Sequence, residues 1–196
     1  MTDRPVNYAG GMPARRASGA SAADTREALL DAGVSVADEF GLAGLSVNLV
    51  VADANVAKGT FYVHFADRGA FVDALHERFH ALVRESVDAA IEGVPPGREQ
   101  IIRGSEAYLD VCLSNRAVKA LSLEARSDPS LITSMATRHD RFVAATIPSF
   151  KAMDWPDAAA ASQLLAAMTN EIAIRELEAG RKLPAARRSL RRFLGG

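Results

Sequence analysis

The sequence predicts an all-α protein, and three observations carry that prediction. Apolar residues recur at helical spacing in segment after segment. No stretch alternates with period two for long enough to make a strand. The segments are separated by helix-breaking or capping clusters: Gly41, "GVPPG" at Gly93 to Gly97, "DWPD" at Asp154 to Asp157, and Gly180. The composition suits a packed domain: 48% of the 196 residues are hydrophobic and 24% are charged, with a net charge of −1. No apolar run approaches a membrane span, "LLAAM" at Leu164 to Met168 being typical of the longest. The start of the chain lacks the apolar centre of a signal peptide. Cys112 has no partner for an internal disulfide, so a reducing cytoplasm is expected.

Each element has a local reason. Residues 1–20 are Gly-, Ala- and Pro-rich and read as a flexible arm, with Arg15 and Arg16 as its paired charges. "DTRE" has capping-box form, with Asp24 as the expected N-cap and Glu27 three residues on. Leu29, Ala32, Gly33, Val36 and Phe40 then follow helical spacing, and Gly41 is expected to end this helix. Ser46 offers a cap for a helix from Val47 to about Ala54, and Asn55 suits a left-handed turn. A short helix spans about Ala57 to His64. Asp67 caps a long helix to about Ile91. Further helices are expected from Arg98 to Leu113, from Ala117 to Arg126, from Pro129 to about Phe150, from Pro156 to Ala179, and from Pro184 to Leu194.

The stretch "VAKGTFYVHF", Val56 to Phe65, asks for a function. On a wheel at about 100° per residue, Phe61 and Phe65 share the side that must face a core. Gly59, Thr60 and Val63 fall opposite, with Lys58 and Tyr62 on one flank and His64 on the other. A small, nearly uncharged face with hydrogen-bonding flanks suits a helix in a DNA major groove. The flanks hold phosphates while Thr60 and Val63 approach base edges. With Val47 to Ala54 as the brace across Asn55 and Val56, this reads as a helix-turn-helix. The same pattern also fits a short, partly buried helix in an all-α bundle.

From Thr25 to Phe79 the chain resembles the N-terminal domain of the tetracycline-repressor (TetR) family of bacterial transcriptional regulators. The matching pieces are "TREALLDAG", "LSVNLVVADANVAKGTFYVHF" and "DRGAFVDALHERF". The resemblance implies a helix-turn-helix DNA-binding domain over residues 21–68, with the motif at about 46–65. It implies a helical ligand-binding and dimerisation domain over residues 69–196. By it, Lys58, Tyr62 and His64 bind phosphates or groove walls and Arg68 meets the DNA backbone. Arg26, Ser46 and Gly59 complete the candidate DNA-binding set. The chain departs from the family at Ala57, where Ser or Thr is frequent, at Leu49, where a polar residue is common, and at Gly69, where Glu is usual.

The charge pattern runs against easy DNA binding. Between Ser21 and Gly69 seven acids (Asp24, Glu27, Asp31, Asp38, Glu39, Asp53, Asp67) face three bases (Arg26, Lys58, Arg68). Few bases mean modest non-specific affinity. Arg15 and Arg16 are candidates for a minor groove, or are part of a solvated tail.

The second half is expected to take a small-molecule effector between helices, with His76, His80, Ser105, Tyr108 and Cys112 as the candidate pocket. Each also reads as an ordinary core or rim residue, and no third or fourth ligand completes a metal site at His76 and His80. By the family resemblance, the last two helices pair with a two-fold mate through Leu164, Leu165, Met168, Ile172, Leu190 and Phe193. Arg187, Arg188, Arg191 and Arg192 form the solvated rim of that interface. The chain offers no glycine-rich phosphate loop, no nucleophile elbow and no paired Glu-x-x-His motifs, so it does not read as an enzyme, and no cofactor is expected. The reading is therefore a ligand-responsive repressor that binds a pseudo-palindromic operator on double-stranded DNA as a homodimer, away from any membrane. The alternative is a helical ligand-binding or protein-interaction bundle that has lost operator binding.

Overall fold

The computed structural model describes residues 21–124 and 132–195. The expected arm at residues 1–20, with Arg15 and Arg16, and the expected helix ends at Arg126 and Pro129 lie outside the described residues. Among those described, every regular element is a helix: α1 Ala22–Gly44, α2 Val47–Asp53, α3 Lys58–His64, α4 Arg68–Ile91, α5 Arg98–Ser114, α6 Arg116–Glu124, α7 Ile132–Ala152, α8 Ala158–Ala179 and α9 Pro184–Phe193.

The capping chemistry sets most of these boundaries. At α1 the capping box sits three residues earlier than the sequence suggested. The Ser21 N–H donates to Asp24 Oδ2 (2.9 Å) and the Asp24 N–H donates to Ser21 Oγ (3.1 Å). Asp24 is therefore the reciprocating acid rather than the cap, and the hydrogen bonds from Ser21 hold its carboxyl below the usual range. Gly41 takes φ 65°, but α1 kinks there and resumes to Gly44 instead of ending. Ser46 caps α2 by accepting from the Leu49 N–H, and Asn55 turns the chain at φ 53°. Asp67 caps α4 by accepting from the Ala70 N–H at 2.8 Å. Helix α8 begins after Pro156: Asp157 is its N-cap, accepting from the Ala160 N–H at 2.9 Å, so the proline precedes the helix rather than opening it.

Two apolar cores follow. The first joins Leu29, Leu30 and Val36 of α1, Val50 of α2, Phe61 of α3, and Phe71 and Leu75 of α4, together with Phe65. The second joins Phe79 of α4 to Ile101 and Leu109 of α5, Phe150 of α7, Leu165 and Ile172 of α8, and Leu190 of α9. Helix α4 thus runs through both. Helix α1 approaches α4 so closely at Gly33 that a Cβ there would sit 2.5 Å from Phe71 Cζ. Helix α6 also bridges: Ala117 belongs to the first core and the next residue, Val118, to the second.

Because Asp67 satisfies an N-terminal N–H of α4, Asp67→Ala should lower folding stability by about 1 kcal/mol. Urea denaturation reads this as a lower midpoint. An unchanged midpoint would remove the cap from the account.

Candidate nucleic-acid interface

The structure places the α3 anchor as its spacing requires. Phe61 and Phe65 are buried, packed on each other at 5.4 Å between ring centroids and on Phe71 at 5.2 and 4.9 Å. With that side fixed, the other side must face out. Val63 is 79% exposed and Tyr62 51%, while Lys58 and Gly59 are exposed and Thr60 and His64 half-buried. A Cβ built on Gly59 meets nothing within 4 Å, so the space over the start of α3 is open. Ala57 caps α3 with backbone alone; no side chain bonds to the first turn. Within that turn the Thr60 N–H donates to the Ala57 carbonyl at 2.9 Å.

The remaining candidates are held by the protein itself. The Arg68 Nε donates to the Leu45 carbonyl at 2.6 Å, tying the start of α4 to the loop before α2. The Arg26 guanidinium lies 5.3 Å from the centre of the Phe65 ring and pairs with Glu27 at 3.4 Å. Ser46 stays exposed but spends its oxygen on the α2 cap. The acidic excess is partly offset from outside the counted segment. Arg78 of α4 pairs with Asp31 at 2.7 Å and Glu27 at 3.4 Å on the outer face of α1.

In the second half the structure brings Tyr108 and Cys112 together and adds two residues that periodicity did not single out. Buried Lys119 of α6 donates to the Tyr108 hydroxyl (2.9 Å) and to Asn170 Oδ1 of α8 (3.0 Å). Burial pushes the Cys112 thiol up, with Lys119 and Tyr108 opposing. Ser105 is buried on α5 and His76 on α4, while His80 is half-buried. His76 to His80 also spells the His-Glu-x-x-His pattern of zinc peptidases. Glu77 is directed outward to Arg84 at 3.0 Å, however, and among the described residues no group of three or more metal-ligating side chains assembles.

The proposed dimer set divides. Leu164 and Phe193 are 63% and 70% exposed, and Met168 is half-buried against the second core. Leu165, Ile172 and Leu190 are buried within the chain's own second core and are not surface residues, a correction to the sequence reading. Arg187 is likewise no solvated rim residue. Its Nε and Nη2 donate to the two carboxylate oxygens of Glu176 (2.7 and 2.6 Å), and its Nη1 donates to Asp110 (2.6 Å). Arg191 pairs with Glu106 of α5, whereas Arg188 and Arg192 are exposed.

The comparisons fit this geometry. A family model described as "Bacterial regulatory proteins, tetR family" matches residues 29–75, from the first core residue of α1 to Leu75 of α4. The HTH-type transcriptional repressor DhaR of Mycobacterium sp. (strain GP1) is 33% identical over 75 residues. That match covers 37% of this chain and 38% of DhaR, so the chain spans well under half of that curated relative. A TetR-like transcriptional regulator from Rhodococcus sp. RHA1 shares the fold with TM-score 0.74 at 21% identity, over 88% of this chain and 94% of its own. A second transcriptional regulator from the same organism gives 0.77 at 20%, over 87% and 94%. The multidrug binding protein EbrR, solved with imidazole, gives 0.66 at 22%, over 87% and 90%. These structures share the architecture of an N-terminal helix-turn-helix followed by a helical domain. No helix among the described residues is long and apolar enough to cross a membrane. Residues 29–75 are thus similar to the tetR family of bacterial regulatory proteins, and over the rest of the chain the likeness to these regulators is one of fold.

Proposed function

We propose that the protein is a ligand-responsive transcriptional repressor that binds a pseudo-palindromic operator as a homodimer in the cytoplasm. The exposed face of α3 carries the proposal. Gly59, Tyr62 and Val63 stand clear of a fully buried Phe61 anchor in the segment that matches the family. In this reading α2 braces α3 in the major groove, Thr60 and Val63 meet base edges, and Lys58, Tyr62 and His64 hold phosphates. Arg68 orients the motif from behind through the Leu45 carbonyl. Residues 21–68 supply the DNA-binding unit and the helices from α4 onward the effector site and the dimer. Likeness to EbrR, a multidrug binding protein, supports a small-molecule input.

Selection of bound fragments from random DNA by the full chain tests the reading. A palindrome with half-sites about 34–36 Å apart is expected. Failure to enrich any fragment at low salt would favour a bundle that has lost operator binding. Lys58→Ala should then weaken binding to every sequence alike and lower the salt slope by about one unit. A changed sequence preference at unchanged slope would assign Lys58 to a base instead.

A further inference from the structure

We propose that the cleft between the start of α5 and α9 binds a small hydroxylated organic anion, a sugar carboxylate or a sugar phosphate, through the guanidinium of Arg98. The cleft measures about 390 Å³ and is lined by Arg98, Glu99, Ile102, Arg103 and Glu106 of α5 and by Arg191 of α9. That volume lies in the range of small-molecule sites. The spacing of the α5 residues puts them on one face of the helix, with Arg191 as the facing wall. Two of the three guanidinium groups already have carboxylate partners. The Arg103 Nε donates to Glu99 Oε1 at 2.7 Å. The Arg191 Nε donates to Glu106 Oε1 at 2.8 Å, and its Nη2 donates to the same oxygen. Arg98 is left over. Its Nε is shut off from water and has no hydrogen-bond partner among the described residues. A guanidinium keeps its charge at any ordinary pH, so a desolvated and unbonded donor on it is costly until an acceptor arrives.

Three cations against two anions leave the cleft with positive charge in excess, which calls for an anionic group. The three arginines act on a common point. The Glu99 carboxyl is held below its usual range first by the Arg103 hydrogen bond, with desolvation opposing, and then by the charges of Arg103, Arg191 and Arg98. A planar guanidinium fork matches carboxylate and phosphate oxygens alike. The rest of the ligand follows from the other walls. A water takes roughly 30 Å³, so a bare ion would leave most of the cleft to solvent. Ile102 is buried and uncharged, while the remaining side chains are charged, and an apolar body would strip water from them at a cost. Glu99 and Glu106 each accept through Oε1 in these ion pairs, which leaves Oε2 to accept from a ligand hydroxyl. None of these residues belongs to the set His76, His80, Ser105, Tyr108 and Cys112, and the site does not depend on DNA binding.

The test uses the full chain and four probes: gluconate, glucose 6-phosphate, neutral glucose and inorganic phosphate. Affinity is measured by calorimetry for the wild type, Arg98→Gln and Arg98→Lys, with circular dichroism confirming that each variant is folded. Arg191→Gln, on the facing wall, stands in if the Arg98 variants do not fold. Gluconate or glucose 6-phosphate should bind the wild type, and glucose should be about 10- to 100-fold weaker. Arg98→Gln should weaken the anion by a similar factor. Arg98→Lys, which keeps the charge and loses the fork, should fall between. Binding of gluconate alone assigns the site to carboxylates, and binding of glucose 6-phosphate alone assigns it to phosphate esters. The proposal is overturned if neither anion binds, if Arg98→Gln binds as tightly as the wild type, or if glucose matches the anions. It is also overturned if inorganic phosphate binds as tightly as the sugar anions, because the hydroxylated body would then contribute nothing.

Discussion

Arg187→Met should destabilise the protein by about 3–5 kcal/mol, a large share of the 5–15 kcal/mol that typically holds a domain folded. Glu176 has no exposed surface, and its carboxylate is held by two Arg187 nitrogens and by the Leu183 N–H at 2.8 Å. Removing the guanidinium strands a buried negative charge and releases Asp110 of α5, which is left with Lys182 at 2.8 Å. The double replacement Glu176→Met with Arg187→Met should recover much of the loss, because breaking a buried pair costs more than deleting it. Urea midpoints measure both. An Arg187→Met midpoint equal to wild type would show that the pair contributes nothing.

The pH dependence should change sign between the two proteins. In the wild type, burial opposes ionisation of Glu176, but the Arg187 and Leu183 hydrogen bonds outweigh it and hold the carboxyl below its usual range. The lowered folded value means that this stability is complete above the unfolded value of about 4.3. It is lost as pH falls through the folded one. In Arg187→Met the same carboxyl is buried without its cation, which raises its folded value. That variant should therefore gain stability as pH drops from 7 toward 4.5, on the order of the pH range over which a buried acid takes up its proton.

Leu164→Glu combined with Phe193→Asp should leave the fold intact, yield a monomer by sedimentation, and weaken operator binding by at least about 100-fold. Both side chains are exposed, so their replacement costs the isolated chain little. Ala160 and Ala167 lie exposed on the same edge of α8 as Leu164, and such small residues let a second helix come close. The large operator effect arises because one half-site offers one recognition helix, and the second binding event is no longer intramolecular. Met168→Glu is a poorer probe, since Met168 also packs on the second core. A wild-type protein that sediments as a monomer at micromolar concentration would sink the dimer.

What the sequence revealed was local. Phe61 and Phe65, four apart, were enough to orient α3, because a helix has one period and the large rings must be buried. The caps at Ser46 and Asp67 were readable for the same reason: donor and acceptor lie three residues apart. At α1 the sequence reading placed the box at Asp24–Glu27, whereas the fold places it at Ser21–Asp24. Long-range polar contacts left no such trace. Lys119 reaches Asn170 across 51 residues, and Arg187 reaches Asp110 across 77, so neither pair has a spacing to recognise. A charged residue in an arginine-rich helix is also assigned to solvent by default, which is where Arg187 went wrong. The interface residues failed differently. Helix α8 is apolar on most sides, and no wheel separates the inward Leu165 and Ile172 from the outward Leu164.

The placement of Ala117 bears on how freely such a protein exchanges parts. A graft that carries only α1 to α3 onto a foreign helical domain leaves behind the Ala117 side chain, which packs in the first core. The incoming α6 must present something no larger than a methyl group at that position and must lie along α1 at the same depth. Val34 of α1 sets the same demand from the other side, since it touches both cores at once. Chimeras built from this chain should therefore be cut within the helices, with α1 and α6 matched as a pair, and not at the loop before Arg68.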